Sequence, residues 1–395
     1  MDIIHRDALA AYQTQLLEYR RYLHAHPELS FKEIETQKYI IEKMSQLKHA
    51  EIIKPVGTSV LVKFVTGKTG PKIGLRADID ALAILEERDE LAFKSKNEGV
   101  MHACGHDIHT SMLMTACHYF DDHFDSLTGE VWAIFQHAEE LLPGGAQEMV
   151  ATGLFNDLDF IYGQHIWSGL PIGTIDVKDG PASSNTDAYV IKVQGKGGHA
   201  SQPNTSIDPV VIGATIVQKL QTIVSRMIAP QEAGVISNTY FQAGRQAAIN
   251  VIPDVCYLGG SVRSSSEEMR HLFKNTIIKM ANSTCEDYGA TCEIDYTLGY
   301  GVTYNNPEKT AFVRAIANEV KDATVIAEKC MLGGEDFSAF ASIVPSTFVF
   351  VGGGNPELGF DYPHHHPKFG IDEDGMMYGL QLLINVVEKY PTYFK

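Results

Sequence analysis

The chain has 395 residues, 44% of them hydrophobic and 21% charged, and a formal net charge of −17. That length exceeds one ordinary hydrophobic core, so two domains are expected. The acidic balance, 49 acidic against 32 basic residues, disfavours nucleic acid and anionic membranes as partners. Residues 1–31 have the pattern of an amphipathic helix, without the apolar core and small-residue cleavage site of a signal peptide. From residue 10 to about 180, helical patterns alternate with short apolar runs. "KIGLRADID", "EVWAIFQ" and "DFIYGQHIW" read as strands, and "HTSMLMTACHYFDDHF" and "GGAQEMVATGLF" as helices. Such alternation predicts an α/β layer with a buried sheet.

Near residue 183 the rhythm changes. The strand "TDAYVIKVQ" precedes a helix over 206–227, with Asp208 as its cap and Pro209 in its first turn. Two strands follow, "GVISNTYFQA" and "DVCYLGGSVR", then a helix over 265–289 and the strand "TCEIDYTL". This β-α-β-β-α-β order is the ferredoxin-like unit. After residue 300 the α/β pattern resumes with the helix "PEKTAFVRAIANEV", the strand "STFVFVGGG" and a closing helix over 375–390. The expected division is residues 1–182 and 299–395 for a catalytic α/β domain, with 183–298 as an insertion. No run of about 18 apolar residues predicts a membrane span. Six cysteines without a C-x-x-C pair suit a reducing compartment, with the cytoplasm as the default.

Ligands of open α/β sheets bind at the carboxyl ends of strands, and polar clusters fall there. Asp78 and Asp80 end one strand, Glu139 and Glu140 follow another, and His165 lies late in a third. "VMHACGHDIHTSM" adds His102, Cys104, His106, Asp107 and His109, and "DYPHHHPKFG" adds His364, His365 and His366. Each cluster alone could be a helix cap, a core histidine or a solvated loop. Together, thiolate, imidazole and carboxylate are the borderline ligands that suit Zn²⁺ or a similar divalent ion. In an extended segment, neighbouring side chains point to opposite sides. Glu139 and Glu140 are therefore expected to divide two jobs, one ligating metal and the other facing substrate. Competing motifs fail. "GKGGHA" at Gly195 resembles a dinucleotide fingerprint, but no acid lies near position 217 and the following helix starts too late. "TGKTG" resembles the end of a P-loop, but Val62 stands where its first glycine belongs.

Taken in order, "RRYLHAHPELSFKEIET", "LRADIDAL", "MHACGHDIH", "FQHAEE", "PGGAQEM", "GQHIW", "GKGGHASQP", "NVIPD", "GSVRS", "GGEDFS" and "HHPKF" resemble the M20 metallopeptidase family. The likeness is to its amidohydrolase branch of aminoacylases, hippurate hydrolases and auxin-conjugate hydrolases. It implies a di-metal peptidase α/β domain carrying a ferredoxin-like (βαββαβ) dimerisation domain. Cys104 resembles the bridging ligand. His106 and His165 resemble the remaining ligands of one metal, Glu140 and His365 those of the other, the latter because His365 stands two residues before Pro367. Glu139 resembles the general base. His199 and Asn250 resemble residues that reach a partner subunit's site, His199 in catalysis and Asn250, with Arg263, in substrate binding. Arg76 stands where other family members carry a metal-binding histidine, so Asp78 is expected to orient its surroundings. His137 is expected to pack, and His102 and His109 to support the ligands.

The implied activity is hydrolysis of an amide bond in N-acyl amino acids or small peptides, by a metal-bound hydroxide with a glutamate general base. The implied cofactors are two divalent ions (Zn, Mn or Co), and the implied assembly is a homodimer or higher homo-oligomer. The alternatives are a dipeptidase or aminopeptidase, a peptidase of longer peptides, and a non-catalytic homologue that kept the fold. The complete set of Cys104, His165 and the glutamate pair argues against the last.

Overall fold

A computed structural model of the chain describes residues 3–328 and 330–394. It divides into two units, Met1–Ala182 with Thr303–Lys329 and Asp336–Lys395, and Ser183–Val302 with Cys330–Glu335. The second unit therefore takes in a short return segment around 330–335 as well as the inserted stretch.

The first unit opens with helices α1 (Gln13–Ala25) and α2 (Ile34–Met44). Its early strands are β1 (Ala50–Ile53), β2 (Val60–Val65) and β3 (Lys72–Asp78). Helix α3 (His106–Asp122), strand β4 (Glu130–Gln136) and helix α4 (Gly145–Ala151) follow, then β5 (Phe160–Pro171) and β6 (Thr174–Asp176). The strands Thr324–Ile326 and Ser346–Gly354 return after the insertion. Together they form one eight-stranded sheet, ordered β1, β2, β4, β3, β5, Ser346–Gly354, β6, Thr324–Ile326. Its centre is parallel, with β3 paired to both β4 and β5, and β5 to Ser346–Gly354. Central parallel strands are covered on both faces and become continuously apolar. Val131 to Phe135 of β4 and Phe160 to Tyr162 of β5 are buried in this way. The closing helix Met376–Tyr393 buries Leu380, Leu383, Ile384 and Val387, and its core cluster includes Met112 and Leu113 of α3.

Several elements differ in extent from the sequence reading, and two of them bear on the site. The helix begun at Gly145 ends at Ala151, followed by Gly153 at φ 74°. The strand holding His165 runs on to Pro171.

The second unit is a four-stranded antiparallel sheet ordered Gly234–Ala243, Val255–Ser264, Asp187–Gln194, Thr291–Thr297. Helices Pro209–Arg226 and Glu267–Asp287 complete the βαββαβ unit. Asp208 caps the first helix through Val210 N and Ser266 caps the second through Met269 N. Alternation in the first strand buries Tyr189, Ile191 and Val193 with Ile216, Leu220, Leu258 and Phe273. All six cysteines are free thiols. Among the described residues no helix is long and apolar enough to cross a membrane.

Candidate metal centre

The centre is built where β3 and β5 stop pairing. The β3–β5 ladder ends at Arg76 opposite Gly163, so His165 lies beyond the last rung. Cys104 and His106 flank Gly105, the N-cap of α3, which has φ 92°. A Cβ at Gly105 would stand 2.6 Å from Ile166 Cγ2, so only glycine permits this turn. The turn places the Cys104 thiol 3.4 Å from His165 Nε2.

Each histidine is held by the nitrogen turned away from the centre. His106 Nδ1 faces the Asp80 carbonyl at 3.0 Å and its Oδ1 at 3.2 Å. His165 Nδ1 donates to the Ile166 carbonyl at 2.6 Å. Both rings therefore present Nε2 to the centre, the arrangement in which an outer partner fixes a ligating imidazole. Two groups result. Cys104, His106 and His165 offer atoms within 4.8 Å of one another, and so do Cys104, Glu140 and His365. Of the histidine triplet, only His365 joins a group, its Nε2 3.2 Å from Glu140 Oε1. His364 instead stacks on Trp167 with its Nε2 accepting from Ser168 N, and His366 stacks on Tyr362.

The residues fit a divalent ion on their own chemistry. His106 Nε2 is buried without a hydrogen-bond partner, and Glu140 Oε1 likewise makes no well-formed hydrogen bond although His365 Nε2 stands 3.2 Å away. Such atoms are costly unless something positive or polar meets them. Burial opposes charge on His106, but Asp78, Asp80 and Glu140 outweigh it and hold its proton up to about 10. Burial, then Glu140, Glu139 and Asp78, pushes the Cys104 thiol well above its ordinary range. A cation placed among these groups would displace both protons and invert that balance.

The glutamate pair departs from the alternating geometry expected of it. Strand β4 ends at Gln136, and Ala138 turns the chain at φ 50°. Glu139 Oε2 and Glu140 Oε1 then lie 4.0 and 3.9 Å from the same His106 Nε2. Both carboxylates face one centre, and only Glu140 shares the second group with His365. Asp78 is held by Arg76 Nη1 at 2.8 Å and His109 Nδ1 at 2.6 Å, while its Oδ2 also stands 3.7 Å from His106 Nε2. His109 Nε2 in turn accepts from Ile166 N at 2.8 Å, bracing the residue after His165. His102, expected to support in the same manner, is buried with neither nitrogen hydrogen-bonded, and burial lowers it to about 4. His137 is buried, with Nε2 3.1 Å from Glu148 Oε2 and its ring edge-on to Phe31. His199, Asn250 and Arg263 belong to the second unit, where His199 pairs with Val251 in a short ladder. There Arg263 is half-buried.

Of the buried partners behind the centre, Asp80 was singled out from sequence as a strand-end acid and Asp336 was not. Asp336 accepts from Arg76 Nη2 at 2.9 Å and from Ala146 N at 3.0 Å. Asp80 joins His106 to Ser30 and to Glu140 N. Asp336 gave no signal beyond its place in "GGEDFS", and Asp80 in "RADIDAL" looks the same as a helix cap.

A thiol, imidazoles and carboxylates converging at the strand ends of an α/β sheet, beside a further carboxylate, define a metal-dependent hydrolase. The chain belongs to the peptidase family M20/M25/M40, whose model matches residues 74–389. It is a hydrolase of amide bonds. The chain is 40% identical over 368 residues to thermostable carboxypeptidase 1 of Saccharolobus solfataricus, covering 92% of each chain. It is 41% identical over 296 residues to the N-acyl-L-amino acid amidohydrolase of Geobacillus stearothermophilus, covering 75% of this chain and 79% of that one. Among solved structures, it matches the Bacillus subtilis YXEP protein, described as a dinuclear metal binding peptidase. That match has a TM-score of 0.84 and 32% identity, over 97% and 99% of the two chains.

Proposed function

We propose that the chain cleaves the amide bond between an acyl group and an amino acid that keeps its free carboxylate. A carboxypeptidase and an N-acyl amino acid amidohydrolase both release an amino acid from that bond, so one substrate pattern accommodates both relatives. The observation that carries the reading is the pair of ligand groups sharing Cys104, with Glu139 beside them. Cys104, His106 and His165 would hold one divalent ion, and Cys104, Glu140 and His365 the other; Mn²⁺, Zn²⁺ and Co²⁺ all suit this ligand set. When bound, such a pair lowers the pKa of water and polarises the scissile carbonyl.

The protein's own groups carry the proton. Glu139 accepts it from the attacking water at a carboxylate oxygen and delivers it to the departing amide nitrogen. His199, reaching over from a partner subunit, donates a hydrogen bond to the oxyanion. Asn250 and Arg263 bind the substrate, the guanidinium taking the free carboxylate. The second unit pairs two chains as a homodimer, because its edge strand Gly234–Ala243 exposes Tyr240 and Phe241. An acidic chain of free thiols suits the cytoplasm. The test is a panel of N-acyl amino acids and dipeptides, assayed with Mn²⁺, Co²⁺ or Zn²⁺ added back to the chelated protein. Turnover of N-acyl amino acids by the reloaded protein is expected; cleavage confined to free-amine peptides would overturn the substrate assignment.

A further inference from the structure

Glu33 lies in the segment "PELSFKE", which the chemistry above leaves unused. It is fully buried and stands at the N-cap of α2, yet its side chain makes no capping bond there. Instead Oε1 accepts from Phe31 N and from Ala138 N, each at 2.9 Å. Oε2 accepts from Thr58 Oγ1 at 2.5 Å. Both backbone donors belong to non-glycine residues with positive φ, 64° at Phe31 and 50° at Ala138. Each such conformation is strained and persists only where its surroundings fix it.

Ala138 immediately precedes Glu139. On the other side, Glu140 N donates to Asp80 Oδ2 at 3.0 Å, the same oxygen that accepts from Ser30 Oγ at 2.6 Å. The backbone N–H groups on both flanks of Glu139 therefore end on buried carboxylates. The loop at residues 30–33 contributes to each anchor. We propose that Glu33 is a positioning residue for the reaction: it fixes the turn at Ala138 and so aims the Glu139 carboxylate. The inference rests on the reading of Glu139 as general base.

Three variants test it: Glu33→Asp, Glu33→Gln and, as a control on the underlying reading, Glu139→Gln. Each is assayed on the best substrate of the panel above, with metal content and melting temperature measured alongside. Glu33→Asp keeps the buried charge but is one methylene short of Ala138 N. Its kcat is expected to fall about 10- to 100-fold, the scale of an ångström-sized misplacement, with KM within about twofold and metal content unchanged. Glu33→Gln keeps an oxygen for the two backbone donors and turns an N–H toward Thr58 Oγ1, so it should retain most of kcat. Wild-type kcat in Glu33→Asp, or equal loss of kcat, metal and melting temperature in both Glu33 variants, overturns the proposal. An active Glu139→Gln beside a slow Glu33→Asp places the failure in the general-base reading, and the positioning of Glu139 falls with it.

Discussion

Replacing Arg76 by methionine should destabilise the first unit by about 3–5 kcal/mol, the cost of stripping one partner from a buried ion pair. The guanidinium is 1% exposed and the Asp78 and Asp336 carboxylates not at all. Nη1 meets Asp78 at 2.8 Å, Nη2 meets Asp336 at 2.9 Å and Nε donates to Gln136 at 2.7 Å. No discount for solvent screening applies at that burial. Methionine fills much of the volume but leaves the Asp78 and Asp336 carboxylates desolvated without their shared cation. For a unit of this size each kcal/mol moves the midpoint by roughly 2–4 °C, so a fall of about 6–20 °C is expected. Scanning calorimetry of wild type, Arg76→Met, Asp336→Asn and the double variant measures it. The double variant should recover part of the loss, because removing both partners leaves less uncompensated charge. A shift under about 2 °C in Arg76→Met, or strictly additive losses, would refute the claim that this guanidinium neutralises the acids behind the centre.

Glu139→Ala should lower kcat about 10²–10⁴-fold while metal content stays near wild type, whereas Glu140→Ala should lose metal; the reverse pattern would exchange the two roles. Cys104→Ala should empty the site far more than His102→Ala, read by bound metal after gel filtration, because His102 touches the centre through no hydrogen bond. His199→Ala and Glu139→Ala, each inactive alone, should recover activity when co-refolded as mixed dimers; mixed dimers that stay inactive would show that His199 does not act across subunits. Burial holds His118 below the ordinary histidine range. With a folded pKa below the unfolded one, its contribution to stability is full above the unfolded pKa of about 6.5 and is lost as pH falls below it. His118→Gln should flatten that acid-side decline in melting temperature, and an unchanged slope would reject the assignment.

The sequence was most informative where periodicity and burial agree. "EVWAIFQ" and "DFIYGQHIW" are apolar on both faces because each strand is covered twice, and the Asp208 cap is local chemistry that tertiary contacts do not override. The ligand-bearing segments were legible because they carry residue types that a core seldom keeps. What was hidden depends on contacts distant in sequence. Ala138 adopts a positive φ beside an acid 105 residues earlier, so the alternation expected of Glu139 and Glu140 gives way to two carboxylates facing one imidazole. The Arg76–Asp336 pair spans 260 residues, and neither residue advertises the other. Equally, no local pattern says that His109 is hydrogen-bonded at both nitrogens and His102 at neither.

Metal stoichiometry tests the central claim most directly. Metal per chain would be measured by mass spectrometry of the digested protein for wild type, His365→Ala and Cys104→Ala, each loaded with the same divalent ion and desalted. The shared thiolate predicts two ions per chain in wild type, about one in His365→Ala and close to none in Cys104→Ala. A single ion in wild type, or two retained in Cys104→Ala, would contradict a centre in which Cys104 serves both.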